Sequence, residues 1–318
     1  MTSKRQQLEQ WTTVVADTGD LEKIAALRPH DATTNPSLLL AAARDGRFRY
    51  LLDQARELAR EMGHRDDLAW CCDAFACVAG QAVLEHIPGL VSTEVDARLS
   101  FDTAATVAKA RRLMALYREL GVDGDRVLIK AAATWEGIQA ARILEEEGIH
   151  CNLTLVFAVE QALAAAEAGA TLISPFVGRI RDWYVKQGLE INHIDQDPGV
   201  QSVRHIFHLL KARGLETIVM GASFRNAAEI EALAGCDRLT ISPALLDELG
   251  NDDGKLERRL EDTNVEPETE WQPVNEAAFR WSLNDNPMAC DLLSDGIRRF
   301  AADQRALEQR LTEEEIAA

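Results

Sequence analysis

The sequence predicts an α/β fold, a (β/α)8 barrel with additional helices, and three observations predict it. Eight short apolar, β-rich runs recur along the chain, each separated from the next by a helical pattern. Polar residues recur where those runs end, which is where such a barrel opens its active site. With 318 residues, 47% of them hydrophobic, the chain is long enough to bury that core as one domain, expected to span residues 1–318. A doubly wound open sheet is the alternative, and its ligands would also meet strand C-termini.

The elements follow in order. A helical turn near Glu9 gives way to the strand TTVVAD, ending in Asp17. The turn Thr18-Gly19-Asp20 and a short helix to Leu27 follow, broken at Arg28-Pro29-His30. In DATTNPSLLL, 31–34 suits a strand, and Asn35-Pro36-Ser37 opens a helix. Two long amphipathic helices are expected at 44–62 and 67–87, then a third strand at 90–95. Ser100 suits the N-cap of a helix reaching Leu120 and closed by Gly121.

The stretch 127–157, VLIKAAATWEGIQAARILEEEGIHCNLTLVF, reads as strand, helix, strand. Val127-Leu128-Ile129 runs into Lys130, and a helix from Thr134 to Glu147 stops at Gly148. In the strand 150–157, Asn152 and Thr154 fall on one face and Leu153 and Leu155 on the other. A helix at 158–168 precedes a sixth strand, 171–176, which runs into a loop containing Gly178. A helix at 201–213, a strand at 216–221, a helix at 226–233 and an eighth strand at 238–242 come next. The acidic segment 251–270 reads as mobile or surface-lying, and 286–311 as a final amphipathic helix laid across the barrel.

Charge narrows the partners. There are 34 Lys+Arg against 52 Asp+Glu, a net −18. Such a surface argues against nucleic acid and anionic membranes, and an anionic substrate would need a locally basic site. Only seven of the basic residues are lysines, which singles out a lysine inside an apolar strand. MTSKRQQLEQW lacks the apolar core of a signal peptide, and no run is long enough to span a membrane. The six cysteines show no CxxC spacing. They are expected to be reduced thiols of a cytoplasmic protein.

Lys130 is the candidate nucleophile. Desolvation disfavours an ammonium, so a buried lysine holds more of the free base that attacks a ketone. The other reading is a lysine snorkelling from a strand end into water. Asp17 is the candidate general base or acid, or else a turn-forming aspartate ahead of Gly19. Glu94 could relay protons through a water and Thr154 could hold that water, while Asn152 could orient a substrate hydroxyl; a solvated edge or plain packing is the alternative. Thr33, Asn35 and Ser174 are further polar strand-end residues. Arg179 and Arg225 follow strands and tight turns in SPFVGR and GASFR. Their planar forks suit phosphate oxygens, with Ser223 adding a hydroxyl. Pairing with surface carboxylates is their alternative. No Walker loop, GxGxxG, HExxH or Ser/His/Asp pattern is present, so neither a metal nor a nucleotide cofactor is indicated.

DATTNPSLL at 31–39 and IKAAATWEGIQAA at 129–141 resemble the two transaldolase motifs. CNLTLVF, LISPFVGRIRDWY, MGASFRN, FRWSLNDNPMACDLLSDGIRRFAADQ and VVADTGD are also similar to transaldolase blocks, in order over nearly the whole chain. The long bacterial-and-eukaryotic type of the pentose phosphate pathway is the nearer likeness. The resemblance implies a Lys130 Schiff base on C2 of a ketose phosphate, no metal, and Asp17 taking the C4 hydroxyl proton. Glu94 and Thr154 would handle a water, Asn35, Asn152 and Ser174 the dihydroxyacetone hydroxyls, and Arg179, Ser223 and Arg225 the phosphate. It also implies a homodimer. Phe176 stands where related aldolases carry a tyrosine, which favours transfer over free aldol cleavage. One departure lies in the lysine block, where the family usually reads KLASTW and this chain has Ala131 and Ala133. Parity sends Ala131 toward the helices, so the change there is one of packing. A Schiff-base aldolase and a non-catalytic sugar-phosphate-binding barrel are the competing readings.

Overall fold

The computed structural model describes residues 2–64, 67–262, 268 and 270–317. Its eight strands are β1 (Thr13–Asp17), β2 (Asp31–Thr33), β3 (Val91–Glu94), β4 (Val127–Ala132), β5 (Cys151–Val156), β6 (Leu172–Pro175), β7 (Ile218–Gly221) and β8 (Arg238–Ile241). All neighbours pair in parallel and β8 returns to β1, closing the barrel predicted from the sequence. The strands are rich in β-branched residues and almost wholly buried, because helices cover the outside and side chains fill the inside.

Parity organises the interior. Val15, Leu128, Leu172 and Met220 form an apolar cluster low in the barrel. Two residues further along β1, β4 and β6 from its first three members come Asp17, Lys130 and Ser174. Glu94, Lys130 and Asn152 lie side by side in register across β3, β4 and β5. Ala131 and Ala133 belong to the large outer core, while Ala132 packs with the residues at the mouth. Losing a leucine at 131 is thus a matter of wall packing.

Several local expectations are corrected. The helix expected over 44–62 is interrupted by Asp45: Pro36–Arg44 ends there, a 3-10 turn follows, and Arg49–Glu61 is separate. Asp45 Oδ1 accepts from Arg47 N at 3.0 Å, the local bond with which Asp competes against helix. The helix Leu68–Leu84 is not amphipathic, since Cys72 to Gly80 are all buried between neighbouring helices. Ser100 does not cap the next helix. Asp102 does, ahead of Thr103–Glu119, while the Ser100 hydroxyl donates to Ala97 O at 2.6 Å. The loop expected after β6 is a helix, Gly178–Lys186, that starts at once. Helices Pro243–Gly250 and Glu276–Asp285 add to those expected.

Leu155 breaks parity. Its φ of 58° accompanies a register shift between β5 and β6, a bulge that turns the side chain from the outer wall to the mouth. Of the acidic segment 251–270, residues 263–267 and 269 lie outside those described. The part before them is not loose: Leu256 and Leu260 are buried, and Arg259 N and Leu260 N donate to Ala234 O. The final helix, Pro287–Ala317, does cross the mouth. Gly296 lets it pack closely, since a Cβ there would come within 2.7 Å of Leu155 Cδ2 and push that side chain aside.

Candidate active site

The strand ends converge on one cavity at the C-terminal mouth. Nine of the twelve residues singled out from the sequence line it: Asp17, Thr33, Asn35, Lys130, Thr154, Ser174, Phe176, Arg179 and Ser223. Glu94, Asn152 and Arg225 do not. Roomier clefts open around Trp11 at the opposite end of the barrel. There Lys211 pairs with Asp237 and Arg238 with Asp31. The candidate site is the cavity at the mouth, where nine of the residues singled out from the sequence meet.

Lys130 is only 4% exposed, so it does not snorkel. β4 delivers its ammonium into the barrel, where Nζ donates to Thr34 O at 3.1 Å and sits 3.0 Å from Glu94 Oε2. Oε2 is close without being aligned as a hydrogen-bond acceptor, and Thr154 Oγ1 is likewise buried with no protein partner. Buried polar atoms left this way are destabilising unless something else satisfies them. Burial pushes the Glu94 carboxyl above the ordinary range, opposed first by Lys130 and then by Arg179. The same holds for Asp17, raised by desolvation against the pull of Lys130 and Arg179. Two carboxyls with raised pKa beside an amine are placed to accept and return protons.

The remaining polar residues divide into those facing the cavity and those behind it. Asn152 is fully buried. Its Nδ2 donates to Ser92 Oγ at 3.0 Å, and its Oδ1 accepts from Ser174 Oγ at 2.7 Å, so the amide orients Ser174. Thr33 Oγ1 lies 3.2 Å from Thr240 Oγ1. Asn35 spends its Oδ1 on capping the helix Pro36–Arg44, accepting from Leu38 N at 3.0 Å.

The basic side is built by the helix after β6 and the turn after β7. Arg179 stacks over Phe176, its Cζ 4.9 Å from the ring centroid, and burial lowers its pKa, helped by Arg299 and Arg225. Arg225 is exposed at the rim, with its Nε and Nη2 on Asp182 Oδ2 at 2.8 and 2.7 Å and its Nη1 on the Ser223 carbonyl. The surface-pairing alternative thus describes Arg225 as it stands, whereas Arg179 has no carboxylate partner among the described residues. Ser223 adopts φ 65°, a strained left-handed conformation of the kind found at ligand sites. Gly178 donates its N–H to Ser223 O, and a Cβ on Gly178 would lie 2.3 Å from that oxygen and 2.7 Å from Arg225 Cγ. Gly178→Ala is therefore expected to displace this turn, lowering stability by about 1–3 kcal/mol and weakening phosphate binding, as read by thermal melting and a phosphate titration.

Sequence reasoning missed Thr240, Ser92 and Phe300. Inward parity in RLTIS and VSTE would have found the first two. Nothing local marks Phe300, which reaches the cavity from the last helix. Among the described residues no helix is long and apolar enough to cross a membrane.

Comparison with known proteins gives one consistent match over nearly the whole chain. The profile of the family described as transaldolase/fructose-6-phosphate aldolase matches residues 14–311. A transaldolase of Marinomonas sp. (strain MWYL1) is 56% identical over 98% of this chain and 99% of its own. Those of Agrobacterium fabrum, 54% identical over 100% and 99%, and Marinobacter nauticus, 56% over 98% of each, are similar throughout.

Proposed function

Because this chain belongs to the transaldolase/fructose-6-phosphate aldolase family, we propose that it moves a dihydroxyacetone unit between sugar phosphates through an imine on Lys130. It is an enzyme of transaldolase type, a transferase. The donor in this reading is sedoheptulose 7-phosphate, the acceptor glyceraldehyde 3-phosphate, and the products erythrose 4-phosphate and fructose 6-phosphate. The observation that carries the reading is the Lys130 ammonium, buried between Glu94 Oε2 and Thr34 O and facing the cavity that Asp17 and Arg179 share.

The Lys130 ammonium passes a proton to Glu94, and the free amine attacks C2 of the ketose. The carbinolamine oxygen takes a proton, by way of a water between Glu94 and the otherwise unpartnered Thr154 hydroxyl, and leaves as water. The resulting iminium is the electron sink. Asp17 removes the C4 hydroxyl proton, the C3–C4 bond breaks, and its electron pair forms the enamine as the aldose phosphate departs. The acceptor aldehyde then enters, the enamine attacks it, and Asp17 returns the proton. Water finally hydrolyses the imine. Ser174, oriented by Asn152, with Asn35 and Thr33, holds the dihydroxyacetone hydroxyls, while Arg179, Ser223 and Arg225 hold the phosphate. No cofactor enters these steps. The reading includes a cytoplasmic homodimer, one barrel domain per chain, which light scattering tests.

Incubation with fructose 6-phosphate and borohydride should leave a three-carbon adduct on the Lys130 peptide, and erythrose 4-phosphate added first should remove it. A wild-type protein that binds sugar phosphate without an adduct ends this reading. Free aldol cleavage is disfavoured by Phe176, which is 7% exposed, packs edge-on to Phe157 and offers no hydroxyl to direct a water. Phe176→Tyr is expected to raise acceptor-independent cleavage of fructose 6-phosphate at least about tenfold. Release of glyceraldehyde 3-phosphate in a coupled assay measures this, and an unchanged rate removes the argument from the ring.

A further inference from the structure

Arg179 is an anomaly in a chain with 52 acidic residues. Among those described, none pairs with it, no hydrogen bond holds it, and its Nη1 is buried without a partner. Two aromatic rings contact it instead: Cζ lies 4.9 Å from the Phe176 centroid and 5.8 Å from that of Phe300. Rings stacked on a guanidinium occupy its flat faces and leave its N–H edge free for an acceptor in the plane.

Phe300 arrives from the far end of the sequence. It is 4% exposed and forms part of the cavity wall. Residue 296, one turn earlier on the helix Pro287–Ala317, is glycine; a Cβ there would crowd Leu155 Cδ2 at 2.7 Å and just touch Arg179 Nη1 at 3.4 Å. Arg299 and Arg225 repel Arg179, and Asp295 on the same helix attracts it. Asp295 is itself paired with Arg299 Nε at 2.6 Å; without a ring on this side, the guanidinium would be free to turn toward that pair.

We infer that Phe300 is a positioning residue for the anionic end of the substrate. With Phe176 it holds the Arg179 guanidinium flat, away from competing carboxylates, with its edge presented to a phosphate. The inference rests on the proposed phosphate role of Arg179. It makes the seating of the last helix part of phosphate selectivity.

The test is calorimetric titration of the full chain with inorganic phosphate, beside steady-state kinetics. Phe300→Leu is expected to weaken phosphate binding and raise KM for fructose 6-phosphate by about 5- to 20-fold. Its kcat should stay within about threefold, since ground state and transition state both use this contact. Reaction with unphosphorylated fructose should change little, and Phe300→Tyr, which keeps the ring, should restore phosphate affinity. Unchanged phosphate affinity in Phe300→Leu, an equal loss with fructose, or no rescue by tyrosine overturns the inference. If Phe300→Leu fails to fold by circular dichroism, Phe300→Met, closer in volume, takes its place with the same expectations. The titration needs no turnover. A wild type that forms no imine defeats the catalytic reading and leaves the phosphate comparison to decide this one.

Discussion

Lys130→Ala is expected to lose the borohydride-trapped adduct and at least about 10^4-fold in transfer rate, the scale of losing covalent catalysis outright. No other of the seven lysines lines the cavity, so no neighbour can substitute. The variant should also be less stable. Glu94, 9% exposed and already raised by burial, would lose its nearest cation, and breaking a buried pair from one side costs about 3–5 kcal/mol. Lys130→Met combined with Glu94→Gln removes both charges and should recover most of that stability with no recovery of activity. Thermal melting and trapping on the same samples separate the two effects. An adduct surviving at another lysine would transfer the role elsewhere.

Asp17→Asn is expected to stall the reaction one step later. The imine still forms, but the C4 hydroxyl proton has no acceptor, so transfer falls by about 10^2- to 10^4-fold. Intact mass should then show the full fructose 6-phosphate skeleton on the enzyme in place of a three-carbon unit. A three-carbon adduct in this variant would remove Asp17 from bond cleavage. Stability should move the other way. Desolvation raises the Asp17 pKa in the fold, so folding favours its protonated form more than the unfolded chain does. That contribution is complete below the unfolded value of about 3.9 and lost as pH rises through the folded value. At pH 7 the half-buried charge is a net cost, and Asn should raise the melting temperature. The gain should vanish below about pH 4, where both proteins carry a neutral side chain. A stabilised but inactive variant is what a site held under electrostatic strain predicts.

Lys130 shows how far sequence reading reaches. Its place after Val127-Leu128-Ile129, in a chain with few lysines, marks it without any structure. Strand parity correctly puts Asn152 and Thr154 on its side of the barrel and Ala131 behind it. Arg225 shows the opposite. Its motif suggests a free anion-binding fork, yet the helix Gly178–Lys186 brings Asp182 onto it, a contact between residues 43 apart that no local pattern encodes. Asn35 is similar, because capping claims its Oδ1 and leaves only Nδ2 for a substrate hydroxyl.

By itself the sequence determined the alternation of strands and helices, the barrel they close, and the position of the candidate nucleophile Lys130 with most of its polar neighbours. These follow from short-range rules: period-two alternation, caps and turns, and the rarity of a charged residue in an apolar run. Only the tertiary structure decided which polar groups face the cavity and which stand behind it. It alone turned Leu155 to the mouth through a backbone bulge, left Arg179 without a carboxylate among the described residues, and set Phe300 against it. The reason is physical. Barrel closure and the last helix join segments far apart in the chain, and the hydrogen bonds and charges they bring together compete for one another only once they meet.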